Sequence, residues 1–241
     1  MVEASTLKLA AIAELRQVRR LRELEPLLYD REYCCKADLE LPVYEIYRES
    51  CDDRQREIFV RHDVRYDVTV MPSLLLGEEY VKTIGHFHLP CEEVGSHPEV
   101  FEVLEGEARF LIQKGSAGEV VDVPLLVAGE GEKVLVPPGY GHVMINASSK
   151  RLVTGNLVSR NCVQVYDQYL ERRGAAFYVL TGGRLVRNRR YSSVPEVRVL
   201  KPDTPSFLEG GSGLVQAFLK DPDRFAFLNE PSGYARQDAI S

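Results

Sequence analysis

Two histidines, His86 and His88, lie two residues apart in the sequence. In a β-strand, side chains two residues apart leave the same face, so one strand can offer both imidazoles to one metal ion. His142 follows a turn rich in proline and glycine, and Glu99 begins a β-prone run. Three imidazoles and one carboxylate suit a divalent metal ion, and an ion with five or six ligands keeps positions open for water or substrate. These residues predict a metal centre with room for chemistry, although a histidine pair at this spacing is by itself more often two ordinary strand residues.

From about residue 42 onward, the chain consists of short β-prone runs separated by glycine and proline. We therefore expect β-strands to position the four candidate ligands. The predicted strands are residues 43–47, 66–70, 79–83, 99–104, 108–112, 133–136, 142–145, 152–158 and 176–180. The pattern between them shows no long helical segments, which argues against a parallel doubly wound sheet. The predicted fold class is mainly β, an antiparallel sandwich or barrel.

The residues before these strands follow another pattern. Apolar residues recur at near-helical spacing over residues 5–25, which predicts an amphipathic helix. The same segment carries a basic cluster, Arg16, Arg19, Arg20 and Arg22, with glutamates nearby. We interpret this cluster as a solvated face and not as a phosphate site. Residues 1–41 are therefore predicted to be a helical segment that packs on a barrel formed by residues 42–200.

Residues 201–241 are predicted to be a C-terminal extension whose role the sequence leaves open. The extension contains a glycine-rich run followed by the large apolar residues Leu214, Phe218, Phe225, Phe227 and Leu228. These side chains can pack on the barrel or on a second subunit, and the sequence does not choose between the two arrangements.

Composition narrows the classes of partner. The chain has 241 residues, with 30 Lys and Arg against 36 Asp and Glu, so its formal net charge is -6. Such an acidic chain is not expected to bind nucleic acid. Its five cysteines form no CxxC pair, and no apolar run approaches the roughly 20 residues that cross a bilayer. We expect a cytoplasmic protein without a membrane anchor.

The order of the candidate ligands carries a family resemblance. The HxH pair is followed by a glutamate that lies seven positions before Gly106, and then by the run from Pro137 to Asn146, which contains His142. These motifs resemble the two conserved motifs of the cupin superfamily, whose members are small antiparallel β-barrels that hold one metal ion. The resemblance implies a single jelly-roll-like barrel, flanked here by the N-terminal segment and the C-terminal extension.

Within that superfamily the chain resembles archaeal-type glucose-6-phosphate isomerase from about residue 19 to residue 191. The similarity includes residues 19–24, 42–47 and 77–88, so it extends well outside the metal motifs. It implies a metal-dependent isomerase that interconverts glucose 6-phosphate and fructose 6-phosphate, an activity of glycolysis and gluconeogenesis. The implied reaction runs through a cis-enediol or enediolate, or through a metal-assisted hydride shift. A homodimer is the oligomer that the family implies.

The resemblance assigns the metal ligands and the candidate catalytic groups. One divalent ion per chain, of Fe, Ni, Mn, Co or Zn, would be bound by His86, His88, Glu99 and His142. Glu99 is the candidate base for proton transfer. Because a cation lowers the pKa of a bound carboxylate, Tyr166 acting through water is the alternative base if Glu99 stays on the metal.

The resemblance also assigns the groups that bind the sugar phosphate. The phosphate would be held by Thr69, Thr83 and Gly85, and the sugar would lie against Tyr44 and Tyr166. Each residue type also has an ordinary structural role. Threonine is common in strands, tyrosine packs in cores with a wet hydroxyl, and glycine permits a close backbone contact.

The loop between His88 and Glu99 is longer than the family pattern. Its extra residues include three competing ligands, Glu92, Glu93 and His97. Glu99 is preferred because it has the motif's spacing to the following glycine.

Three pocket positions also depart from the family. Val158 and Phe101 stand where the family has tyrosine, and Gln164 stands where it has histidine. Val158 and Gln164 motivate one further hypothesis, a sugar-phosphate-binding cupin without catalysis. Another hypothesis, a cupin dioxygenase, rests on the ligand set, because three histidines and one glutamate also serve that class. The candidate phosphate donors weigh against the dioxygenase.

Overall fold

The computed structural model describes residues 15–90, 96–116, 118–203, 208 and 212–231. The strands are β1 (Leu15–Arg20), β2 (Pro42–Arg48), β3 (Val64–Met71), β4 (Leu75–Leu76), β5 (Glu79–Tyr80), β6 (Phe87–His88), β7 (Glu99–Glu105), β8 (Glu107–Ser116), β9 (Glu119–Asp122), β10 (Pro124–Gly129), β11 (Lys133–Val136), β12 (Tyr140–Ile145), β13 (Leu152–Ser159), β14 (Gln164–Val165), β15 (Phe177–Val179), β16 (Leu185–Arg187) and β17 (Arg198–Leu200). The α-helices are α1 (Leu21–Leu24), α2 (Arg31–Cys34), α3 (Asp53–Arg61), α4 (Asp167–Arg172) and α5 (Leu214–Lys220), and 3-10 turns cover Glu25–Leu27, Thr181–Gly183 and Pro222–Leu228. Within the described ranges, no helix is long and apolar enough to cross a membrane.

Most strands belong to two sheets. The larger sheet has the order β1-β2-β3-β13-β7-β11, and the smaller has the order β12-β8-β10-β17 with β9 beside β8. Strands β10 and β17 run parallel, and the other paired strands of both sheets are antiparallel. Apolar side chains of both sheets meet in the main core, among them Val43, Phe101, Phe110 and Val143. The predicted mainly β, antiparallel fold class is confirmed.

Each of the nine predicted strand segments contains an observed strand, with ends shifted by a few residues. The agreement is poorest for the segment 79–83, where only the two residues of β5 form a strand. This agreement has a simple cause, because alternation of apolar and polar residues and the glycine and proline turns are local signals.

The helix predicted over residues 5–25 is wrong at Leu15–Arg20, which form β1. The part of that prediction over residues 5–14 lies outside the described residues. Strand β1 pairs antiparallel with β2, and the Arg16 guanidinium lies 2.6 Å from the Glu45 carboxylate across the pair. Helix propensity is a weak preference, and here the hydrogen bonds along an open sheet edge outweigh it. The larger sheet therefore starts ahead of the predicted boundary at residue 42.

A second core lies on the other face of the larger sheet. It joins Tyr66 of β3 and Val100 of β7 to Phe59 of α3 and Phe218 of α5. The rings of Phe59 and Phe218 stack with centroids 4.8 Å apart and planes 8° from parallel. The described aromatic residues of the C-terminal extension thus pack on the barrel of their own chain.

We predict that Phe218→Ala lowers the free energy of unfolding by about 3–5 kcal/mol, because Phe218 is fully buried and its loss leaves a cavity. Urea unfolding of the purified protein measures this change. Val121→Ala is the control, since Val121 is 69% exposed and its truncation should change the free energy by less than about 0.5 kcal/mol. Equal stability of the two variants would contradict the packing of Phe218 in this core.

Candidate active site

Backbone hydrogen bonds between two chain segments place the histidines. The His86 N–H donates to the His142 carbonyl at 3.2 Å, and the His142 N–H donates to the His86 carbonyl at 3.0 Å. Gly85 permits this approach with a φ of +76°, and a Cβ at that position would overlap the Val143 side chain. The alternative role for Gly85, a close backbone contact, is therefore visible in the structure.

The four predicted metal ligands converge. One ligand atom from each of His86, His88, Glu99 and His142 lies within 4.8 Å of every other. The Glu99 Oε2 atom is 3.8, 3.3 and 3.5 Å from the Nε2 atoms of His86, His88 and His142, respectively. Ligands at about 2.0–2.2 Å from one ion lie about 3–4 Å apart. The cluster therefore has the dimensions of a mononuclear metal site.

Two neighbouring groups orient this cluster. The Asn156 amide donates to Glu99 Oε1 at 2.6 Å, which leaves Oε2 facing the imidazoles. The His88 Nδ1–H donates to the His97 carbonyl at 2.6 Å, which leaves His88 Nε2 facing the cluster, 3.2 Å from His86 Nε2. Such outer contacts set the tautomer and the ring orientation of a metal ligand.

The donor set fits a bound cation. Glu99 Oε2 is buried, and no described residue gives it a hydrogen bond of good geometry. A buried carboxylate oxygen without a donor is costly, and a cation between it and the imidazoles would remove that cost. The residues present therefore fit the divalent ion that the cupin resemblance implies.

The electrostatics of the cluster favour the ligand forms of three residues. Burial lowers the pKa of His86 well below its usual range, and the imidazoles of His142 and His88 lower it further. Burial also lowers the pKa of His142 to about 4, against the attraction of Glu99. Burial raises the pKa of Glu99, but the adjacent imidazoles and Arg65 outweigh burial and hold it below its usual value. At neutral pH, His86 and His142 are therefore neutral and Glu99 is ionised.

His88 shifts in the other direction. Burial lowers its pKa, but the Cys162 thiol and the Glu99 carboxylate outweigh burial and raise the pKa to about 10.

The predicted substrate residues share one cavity with this cluster. His86, Glu99 and His142 line it, and so do all five substrate candidates, Tyr44, Thr69, Thr83, Gly85 and Tyr166. These residues come from chain segments that are distant in sequence, and folding brings them together. Their roles toward a substrate remain predictions.

Sequence reasoning missed three polar residues of this cavity, Arg19, Arg48 and Asn156. Asn156 had a signal, because it is an amide side chain in a strand of mainly apolar residues, Leu152–Ser159. Arg19 was assigned to a solvated face, whereas β1 directs it to the cavity. Its Nη1 atom contacts Glu23 at 2.6 Å, and its buried Nε has no hydrogen-bond partner among the described residues.

Gln164 connects two groups at the edge of the cavity. Its Oε1 atom accepts from the Tyr166 hydroxyl at 2.9 Å and from Arg48 Nη2 at 3.4 Å. Of the other two departures from the family, Phe101 lines the cavity, whereas Val158 is fully buried in β13.

One competing ligand, His97, lies outside the four-residue cluster. Its Nδ1–H donates to the Leu228 carbonyl at 2.9 Å. The other two, Glu92 and Glu93, lie outside the described residues.

We predict that the protein binds one divalent ion per chain and that His142→Ala weakens binding more than about 100-fold. The reason is that removal of an outer contact alone typically costs about 10–100-fold in affinity. Competition with a coloured chelator measures the dissociation constant for Zn(II) or Co(II). His62→Ala removes a histidine distant in sequence from the cluster and should leave this constant unchanged; equal weakening in both variants would contradict the site.

Comparisons with known proteins address the fold and the family. The chain is similar to oxalate decarboxylase from Bacillus subtilis, with 17% identity and a TM-score of 0.37 over 51% of this chain and 27% of that chain. It is also similar to an oxalate oxidase in complex with the substrate analogue glycolate, with 20% identity and a TM-score of 0.34 over 43% of this chain and 46% of that chain. The chain thus spans less than two thirds of either protein. Among curated proteins, none matches the sequence significantly.

A family comparison covers much more of the chain. The family model described as glucose-6-phosphate isomerase (GPI) matches residues 18–196, well over half of the sequence. The matched region includes both sheets except part of β1 and all of β17, together with the four clustered ligand candidates and every lining residue of the cavity. The chain therefore belongs to the cupin-type glucose-6-phosphate isomerase family.

Proposed function

We propose that this protein is a metal-dependent isomerase that interconverts glucose 6-phosphate and fructose 6-phosphate. One observation carries the proposal: the cluster of three histidines and one glutamate shares a cavity with the candidate phosphate donors, inside the region that matches the isomerase family. An aldose–ketose isomerase needs a base beside the two reacting carbons and an anchor for the distant phosphate. The cavity offers both kinds of group.

His86, His88, Glu99 and His142 would hold one divalent ion, of Fe, Ni, Mn, Co or Zn. When bound, such an ion supplies positive charge that stabilises the negative charge developing on substrate oxygens. All four side chains occupy strands or the residue next to one. This rigid support suits an active site, because small displacements of ligands are costly.

Hydroxyl groups and arginines of the cavity would bind the phosphate. Thr83 Oγ1 accepts a hydrogen bond from the Met144 N–H at 3.0 Å, so its own proton is free to point to an anion. Thr69 lies in β3 on the same cavity. Arg19 adds a positive charge and a buried Nε–H donor that no described residue uses. Hydrogen bonds from a charged donor to phosphate are stronger than those from a neutral donor.

Glu99 would move the proton between carbons. Its carboxylate would accept the proton from C2 of the aldose, which converts the sugar to a cis-enediolate. The same proton would then return to C1 of this intermediate and give the ketose, while a second proton moves from the oxygen on C2 to the oxygen on C1. The Asn156 contact fixes one carboxylate oxygen during this transfer. The Tyr166 hydroxyl, held by Gln164, is the second candidate for proton transfer.

We expect protein that is stripped with chelator and reloaded with Fe(II), Mn(II), Ni(II), Co(II) or Zn(II) to convert fructose 6-phosphate to glucose 6-phosphate. Glu99→Gln should lower kcat about 10²- to 10⁴-fold, the usual contribution of a general base. Glu105→Gln on the same strand is the control and should keep normal activity. A coupled assay for glucose 6-phosphate measures the rate, and proton exchange at C2 distinguishes proton transfer from a hydride shift.

Other outcomes of that assay would replace the proposal. Metal-loaded protein that binds the sugar phosphate tightly without turnover would be a binding cupin. Oxygen uptake with a candidate substrate would indicate a dioxygenase.

We predict that Arg19→Gln raises KM for fructose 6-phosphate about 10- to 100-fold with a smaller change in kcat, because the phosphate is remote from the reacting carbons. Steady-state kinetics measure both constants. Arg16→Gln is the matched control, since Arg16 lies on the same strand but is exposed and paired with Glu45. An unchanged KM in Arg19→Gln would remove this arginine from the phosphate site.

A further inference from the structure

The C-terminal extension contacts His97, a residue beside the metal cluster, at a buried point. The His97 Nδ1–H donates to the Leu228 carbonyl at 2.9 Å. His97 is 5% exposed and Leu228 is fully buried, so water does not compete for this bond. The two residues are 131 positions apart in the chain. The bond therefore ties the loop before β7 to the far end of the described chain.

The same loop residue also contacts a candidate metal ligand. The His97 carbonyl accepts from the His88 Nδ1–H at 2.6 Å. The other ring nitrogen of His88, Nε2, lies 3.3 Å from Glu99 Oε2 inside the cluster. Two hydrogen bonds through one residue thus connect the Leu228 carbonyl to the imidazole that faces the metal position.

We propose that the C-terminal segment 212–231 is a working part of the metal centre, and that His97 is the positioning residue through which it orients His88. This inference rests on the metal binding proposed above. The extension holds the His97 side chain, residue 97 is thereby held in place, and its carbonyl sets the tautomer and the rotation of the His88 ring.

The packing of the extension supplies the rigidity that this role needs. Phe218 and Phe225 lie in the second core, with ring centroids 5.3 Å apart, and both are at most 2% exposed. A segment held by such a core has little freedom, so the Leu228 carbonyl is a fixed acceptor. A carbonyl or carboxylate behind a metal-bound histidine is the usual way in which proteins fix that ligand.

This role also accounts for two departures from the family pattern. The loop between His88 and Glu99 is longer than the pattern, and the extension lies outside the region that matches the family. In the structure the two are in contact through His97 and Leu228. His97 is thereby placed behind His88, as its support, and outside the group of candidate ligands.

The test compares Zn(II) and Co(II) dissociation constants of full-length variants. His97→Leu replaces the ring donor with an apolar side chain, and we expect it to weaken metal binding about 10- to 100-fold. His97→Asn keeps an N–H near the position of Nδ1 and should restore affinity to within about threefold of the unmodified protein. The Co(II) absorption spectrum should change in His97→Leu and return in His97→Asn.

His62→Leu is the matched control. His62 also contacts the extension, because its ring meets the edge of Phe218 at 6.0 Å and its carbonyl accepts from the Asn229 amide at 2.8 Å. His62→Leu keeps an apolar side chain against Phe218 and leaves the backbone carbonyl that accepts from Asn229, so the extension stays packed and metal affinity should not change.

Three results would overturn the inference. Normal metal affinity in His97→Leu would overturn the inference about His97 but would leave the proposed metal site intact. Equal weakening in His97→Leu and His62→Leu would show a general loss of structure. An unmodified protein that binds no metal would overturn the inference together with the proposed function.

A measurement on the unmodified protein covers the case in which His97→Leu does not fold. Histidine-labelled, Zn(II)-loaded protein has five histidines to assign by NMR. The Nδ1–H protons of His88 and His97 should exchange slowly with solvent, since both are buried and hydrogen-bonded. Fast exchange of either proton would contradict the proposed connection.

Discussion

A buried carboxylate that faces three imidazoles is the interaction on which the rest of this structure depends. Glu99 is only 2% exposed, and one of its oxygens lies 3.3–3.8 Å from three ring nitrogens. An ionised group in such a place is tolerable only beside positive charge and hydrogen-bond donors. The nearby polar groups follow from this constraint: Asn156 donates to the carboxylate, and Arg65 contributes to the low pKa of Glu99.

The barrel meets this constraint by bringing together strands that are remote in sequence. The cross-bridge between His86 and His142 fixes two of the rings through backbone hydrogen bonds, independently of their side chains. Close packing around it requires small residues. A Cβ at Gly141, for example, would overlap the Phe87 ring. The ligand positions are therefore set by sheet geometry, which is stiffer than a loop.

Net charge and local charge differ in this protein. The chain is acidic overall, with a net charge of -6, yet Arg19 and Arg48 both line the cavity. Each is paired with a carboxylate, Glu23 or Asp67, so the cavity wall is polar and ordered before any ligand arrives. The net charge of the whole chain argues against nucleic acid as a partner. It does not describe the cavity, where two arginines lie. A pre-ordered wall of this kind loses little entropy when a ligand binds.

The sequence by itself determined the mainly β class, the approximate strands and the four residues that cluster, because these follow from local periodicity and motif spacing. His86, His88, Glu99 and His142 belong to two short motifs, and motifs of this kind survive in the linear chain. Only the tertiary structure decided three other matters: that Leu15–Arg20 form a strand, that Arg19 faces the cavity, and that the His97 carbonyl accepts a hydrogen bond from His88. Each of these depends on contact with a segment distant in the chain: β1 on the open edge of β2, and His97 on the Leu228 carbonyl 131 residues away. Pairing between remote segments leaves no periodic signal in the sequence. Its free energy nevertheless outweighs the weak local preferences for helix or strand, which do leave such a signal.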